Sequence, residues 1–187
     1  MRLLMLIVVL LVSGVGPAVA GPFEDGDAAY EKHDYAAALR LWQPLAEQGE
    51  PQAQHNLGVM YALGTGVPQD YALALLWYRK AADQGYADAQ TRLGILYNYG
   101  EGVTQDYVQA AAWYRKAAEQ GNPQAQAHLG LLYDKGQGVP QDYVQAHMWL
   151  NLAAAGGDAK IRDRVAAKMT PAQIAEAQKL AREWKPK

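Results

Sequence analysis

Four histidines invite a metal-site reading: His33, His55, His128 and His147. A helical zinc pair needs two histidines four residues apart, because only that spacing brings both rings to one face. No such pair exists, and His55 and His128 lie 73 residues apart. His147 also shares a repeated position with Leu75 and Ala111, so nothing holds a ligand there. No metal or cofactor is expected. The next candidates are paired carboxylates for acid–base hydrolysis, Asp70, Asp106 and Asp142. Each stands where a helix starts, and an N-cap aspartate accepts from backbone N–H groups that the helix leaves unsatisfied. Capping accounts for all three. A column of Trp77, Trp113 and Trp149 could stack sugars, but its recurrence beside alanines fits core packing. The pairs Arg79-Lys80 and Arg115-Lys116 read as a solvated helix face, and no phosphate-loop pattern is present.

Nucleophiles are missing as well. There is no cysteine, and the one serine is Ser13. That serine falls in a stretch with the marks of a secretory leader: Met1-Arg2, an apolar run from Leu3 to Val12, and Ala18-Val19-Ala20 before Gly21. Residues 1–20 are expected to be a cleaved signal peptide. Gly14, Gly16 and Pro17 interrupt the run well short of the roughly 20 apolar residues a membrane span needs. The leader carries Arg2 and no acid, so cleavage changes the formal charge from −2 to −3. No block of basic residues offers itself to nucleic acid or anionic lipid. An exported chain without cysteine must be held by packing alone.

The elements that would position any site come from a repeat of 36 residues. Gly49, Gly85, Gly121 and Gly157 are 36 apart, as are the Asp-Tyr pairs beginning at Asp34, Asp70, Asp106 and Asp142. Three full units stack, 50–85, 86–121 and 122–157, and sixteen of their 36 columns are identical. Each unit reads as two short helices. The first runs from about residue 52 to 63 and ends at Gly64; the second runs from about 71 to 84 and ends at Gly85, a left-handed cap that glycine adopts cheaply. Gly58, Gly94 and Gly130 sit in mid-helix, at a cost of about 1 kcal/mol each against alanine. A cost repeated in every unit implies close approach of a neighbour, with tryptophan or tyrosine rings filling the remaining space. A single unit cannot bury both faces, so the units must stack.

The ends read as caps. Residues 21–49 keep a second-helix signature (Asp34, Tyr35, Ala38, Trp42, Gly49) behind a poor first helix, and residues 158–187 close the stack. There Thr170, Pro171 and Gln173 form a capping box before an apolar face of Ile174, Ala177, Ala181 and Trp184. The expected fold is all-α, a right-handed superhelical solenoid of helix–turn–helix repeats.

These units resemble Sel-one-like repeats, the relatives of tetratricopeptide repeats. The resemblance is carried by Ala89 to Gly121 (AQTRLGILYNYGEGVTQDYVQAAAWYRKAAEQG), its two neighbours, and the tail from Ala146 to Trp184. It implies a scaffold for protein–protein contact, often at the bacterial envelope, without naming a partner. Some secreted relatives tie each helix pair with a disulfide. This chain lacks cysteine, and the penicillin binding or hydrolysis suggested for those relatives does not carry over.

Function must then sit where the repeats differ. On a wheel of 100° per residue from Ala53, Leu57, Met60 and Tyr61 define a packed side, and positions 55, 56, 62 and 63 face away. The variable columns are Asn56, Arg92 and His128; Ala62, Asn98 and Asp134; and Leu63, Tyr99 and Lys135. Position 59 stays aliphatic and is expected to pack on the next repeat. In related solenoids the first helices line the concave surface. Asn56, Arg92, Asn98, Tyr99, His128, Asp134 and Lys135 are therefore the expected groove residues, suited to a protein or peptide. A solvated face with no partner would look the same in sequence. The competing functions are a cell-wall glycan binder or hydrolase, and a purely structural spacer.

Overall fold

In the computed structural model, residues 21–153 and 159–187 are described, and ten helices lie among them. The expected leader lies outside these residues. Four antiparallel pairs come first: α1 (Pro22–Glu31) with α2 (Tyr35–Glu47), α3 (Pro51–Leu63) with α4 (Tyr71–Asp83), α5 (Ala87–Tyr99) with α6 (Tyr107–Glu119), and α7 (Pro123–Lys135) with α8 (Tyr143–Ala153). Two shorter-range closures follow, α9 (Lys160–Ala166) and α10 (Pro171–Glu183). From α1 to α9 each helix packs on its neighbours in sequence, and α10 lies back against α8. The result is a helical repeat solenoid, as the 36-residue period requires.

The recurring residues explain how each pair forms. Asp70 Oδ1 accepts from the backbone N–H groups of Ala72 and Leu73, both at 2.9 Å, and Asp106 does the same for Val108 and Gln109. Asp34 and Asp142 each accept from the amide three residues on. The mid-helix glycines serve close packing. A Cβ at Gly58 would stand 2.5 Å from Cδ1 of Tyr78, and one at Gly94 would stand 2.5 Å from Cδ1 of Tyr114. In the last unit Gly130 faces Leu150 Cγ and the Ala146 carbonyl instead.

Successive units are joined by polar rails as well as by apolar clusters. Gln54 Nε2 donates to the Ala46 carbonyl of the preceding pair at 3.0 Å, and Gln84 Nε2 donates to Gln54 Oε1 at 2.8 Å. Gln90 and Gln120 repeat both bonds one unit later. Because the Gln54 and Gln90 side chains are buried, satisfying them also removes a desolvation penalty of about 1–3 kcal/mol each. The loop glycine of each unit lies on the start of the previous unit's second helix. At Gly102 (φ +68°) a side chain would collide with the Tyr71 backbone, and at Gly138 with that of Tyr107. No side chain fits there, so the loop fixes the stacking register.

Two expectations are corrected. The N-terminal pair has a well-formed first helix of ten residues. Its loop is four residues shorter than the others, so residues of α1 match those of α3 at an offset of 32 rather than 36. At that offset Gly26 corresponds to Gly58, and it lies directly under the Trp42 ring as Gly58 lies under Tyr78. The basic pairs are not simply solvated. Arg79 donates to the Tyr97 hydroxyl at 2.9 Å with its guanidinium 4.9 Å from the Trp113 ring, and Arg115 donates to Tyr133 at 2.9 Å. They clamp one unit to the next.

Candidate functional site

Between successive first helices the structure opens three clefts, built from equivalent positions. The first, about 240 Å³, lies between α1 and α3 and is lined by Asp27, Tyr30, Glu31, Trp42, Asn56 and Val59. The second, about 180 Å³, lies between α3 and α5. Its walls include Val59, Ala62, Leu63, Arg92, Ile95 and Glu101. The third, about 170 Å³, lies between α5 and α7, with Asn98, Tyr99, Tyr107, His128, Leu131 and Lys135 on its walls. Applying offsets of 32 and 36 residues, the same columns recur: 27, 59, 95 and 131 form the floor, and 31, 63, 99 and 135 form the rim.

Six of the seven expected groove residues line these clefts, spread over all three rather than gathered in one. Asn56 is half-buried and donates to Asp27 Oδ1 at 3.3 Å. Arg92 and Lys135 are exposed, and neither makes an ion pair among the described residues. Tyr99 is 61% exposed, and Leu63 in the same column is 65% exposed. Two large apolar side chains held open at neighbouring rim positions are available for contact. His128 is only half open, since its ring stacks on Tyr114 with centroids 4.8 Å apart and planes within 10°. Burial holds its pKa below the ordinary histidine value.

Asp134 is the correction. It is buried, and its carboxylate takes Lys168 Nζ at 2.6 Å from the loop after α9. The wheel placed it with Asn98 on the open side, but the third unit is the last, and the C-terminal segment covers that position. Column 55 is corrected too. His55 lies against the Tyr78 and Tyr86 rings, and Thr91 one unit later is buried. Burial lowers the His55 pKa.

Sequence reasoning missed the α1 contribution. Glu24, Asp27, Tyr30 and Glu31 occupy the groove columns, but the shortened loop hides them from a 36-residue alignment. Asp27 carries the electrostatic mark of the cleft. Burial, then Glu24 and Glu31, raise its pKa above the usual carboxylate value, opposed by the Asn56 hydrogen bond.

No group of three or more His, Asp or Glu among the described residues is placed to hold a metal ion. The repeated aspartates are occupied by helix amides. The tryptophan faces are occupied as well: Lys80 Nζ sits 4.1 Å from the Trp77 ring centroid, Lys116 Nζ sits 4.2 Å from that of Trp113, and Trp184 meets Trp149 edge-on. A stacking platform would need those faces open.

The Sel1 repeat family profile matches residues 21–50, 51–86, 87–122 and 123–158. The chain belongs to the Sel1 repeat family. The profile takes in α1 and α2 as a repeat of their own, in agreement with Gly26 and Trp42. The fold is similar to a crystal structure of a Sel1 repeat protein from Oxalobacter formigenes, with 34% identity and a TM-score of 0.74 over 81% of this chain and 63% of that one. It is also similar to c5321, a protective antigen present in uropathogenic Escherichia coli strains that displays the same repeat fold. There the identity is 30% and the TM-score 0.58, over 87% of this chain and 44% of that one. The chain thus spans less than two thirds of the length of either. No curated protein matches it. Sel1 repeat proteins are generally non-catalytic scaffolds for protein–protein interaction. No described helix is long and apolar enough to cross a membrane.

Proposed function

We propose that this Sel1 repeat chain is an exported adaptor that binds a protein or peptide segment in the groove formed by its first helices. The observation that carries the reading is the row of three equivalent clefts, whose rim holds Leu63 and Tyr99 open to solvent. Exposed apolar and aromatic side chains beside polar groups are the composition of contact anchors. Export is supported by the apolar stretch of residues 1–20 with its small-residue cleavage pattern, and it places the partner in the periplasm or outside the cell.

The test is affinity capture from the envelope fraction of the source cells, with the protein and with a variant carrying Arg92→Ala, Tyr99→Ala and Lys135→Ala. His128 is left intact because its stack on Tyr114 belongs to the fold. A partner held by the protein and lost by the folded variant supports the adaptor. A partner held equally by both places binding elsewhere, and retention or cleavage of wall glycan alone would replace the adaptor with a glycan-directed function.

A further inference from the structure

The three clefts share a shape but not a charge. At the α1 end, Asp27 and Glu31 line the cleft beside the Tyr30 and Trp42 rings, with Glu24 close enough to act on Asp27. In the middle cleft the walls are apolar (Val59, Ala62, Leu63, Ile95, Leu96), and the two charges present, Arg92 and Glu101, are opposite in sign. At the α7 end the cleft carries Lys135 with the side chains of Asn98, Gln105, Tyr107 and Gln137. The acid next to it, Asp134, is paired with Lys168 and turned into the fold, so Lys135 sets the local sign. The rim column summarises the gradient in one line of four residues: Glu31, Leu63, Tyr99, Lys135.

A charge sequence of this kind selects its occupant. Resting on the groove reading above, we propose that the ligand is an extended peptide segment carrying a lysine or arginine for the α1–α3 cleft, an apolar side chain for the middle cleft, and a carboxylate for the α5–α7 cleft. The cation meets two carboxylates beside the half-buried Tyr30 ring, surroundings that favour a partly desolvated cation. The carboxylate meets an ammonium and several uncharged hydrogen-bonding groups. Packed helices are roughly 8–10 Å apart, and an extended chain advances about 3.3 Å per residue. The three side chains are therefore spaced about three residues apart, a pattern of basic, apolar and acidic residues over about seven positions. Opposite ends of opposite sign also fix the direction in which the segment lies.

A randomised peptide library displayed on phage, selected on the purified protein, reads this directly. The expected result is enrichment of a basic residue about three positions from an apolar one. Asp27→Asn with Glu31→Gln is expected to abolish the basic preference and keep the apolar one. Synthetic copies of the enriched peptide with lysine replaced by norleucine are expected to bind roughly two- to fivefold more weakly, the scale of one partly exposed ion pair. Enriched peptides that are acidic at that position, or unchanged on the double variant, overturn the charge assignment and leave peptide binding standing. No enrichment, with a partner still captured through the groove, overturns the linear segment. No enrichment and no groove-dependent capture removes the adaptor function itself.

Discussion

Lys168 Nζ stands 2.6 Å from Asp134 Oδ1, across 34 residues of sequence, and closes the last repeat with the segment that follows it. The Asp134 side chain is buried while the Lys168 side chain is 40% exposed, and this asymmetry decides what each substitution does. Lys168→Met leaves a buried charge without its partner and is expected to destabilise the protein by about 1–3 kcal/mol. Asp134→Asn removes the buried charge and lets the lysine return to water, so it should cost less. Urea unfolding of both variants checks the order; a larger loss for Asp134→Asn would contradict the assignment.

The glycine under each tyrosine gives a second expectation. Gly94→Ala improves helix propensity by about 1 kcal/mol, but its Cβ would meet the Tyr114 ring at 2.5 Å. Overpacking of that kind costs about 1–3 kcal/mol, so net destabilisation is expected. Gly94→Ala combined with Tyr114→Leu should lose less than the sum of the two single changes. Thermal unfolding of the four proteins in the cycle measures the coupling, and strict additivity would show that the ring does not enforce the glycine.

Asp106 separates capping from catalysis. Asp106→Ala removes bonds to Val108 and Gln109 and should lower stability by about 1 kcal/mol. Partner capture should be unchanged. Any turnover of wall substrate abolished by this change would instead make the aspartate a reacting group.

The pair Asp134 and Lys168 also marks how far the sequence could be read. The period, the helix pairs, the capping aspartates and the mid-helix glycines all follow from local rules that repeat, and each stands where the spacing placed it. Asp134 could not be assigned that way, because its burial depends on a segment that returns from outside the repeat. Glu24, Asp27 and Glu31 were hidden for a different reason. Deletion of four loop residues moves α1 out of the 36-residue register while leaving its packing on α2 intact. His55 and Thr91 exposed the weakness of a one-sided wheel: a solenoid helix touches the units on both sides, so two arcs are buried.

The buried histidines predict a pH dependence. His55, His128 and His147 each have a pKa held below the ordinary value of 6.5, first by burial. The unfolded chain then binds protons that the folded chain refuses. Their contribution to stability is complete above about pH 6.5 and is lost as pH falls through the lower folded values. Asp27, whose pKa is raised, acts oppositely and only in the carboxylate range. Melting temperature should therefore fall between pH 7.5 and 5.5, and less steeply for His55→Leu. An identical slope in that variant would contradict the burial of His55.

The central claim is that partners meet the first helices, and site-specific photo-crosslinking tests it most directly. Leu63 and Tyr99 in the groove, and Leu76 and Val108 on the second helices, are all exposed, so a benzophenone side chain at any of the four leaves the packing intact. With the variants expressed in the source cells, adducts to one protein at positions 63 and 99 and none at 76 and 108 are the predicted result. Adducts at 76 and 108 alone would contradict the groove and move the interaction to the opposite face.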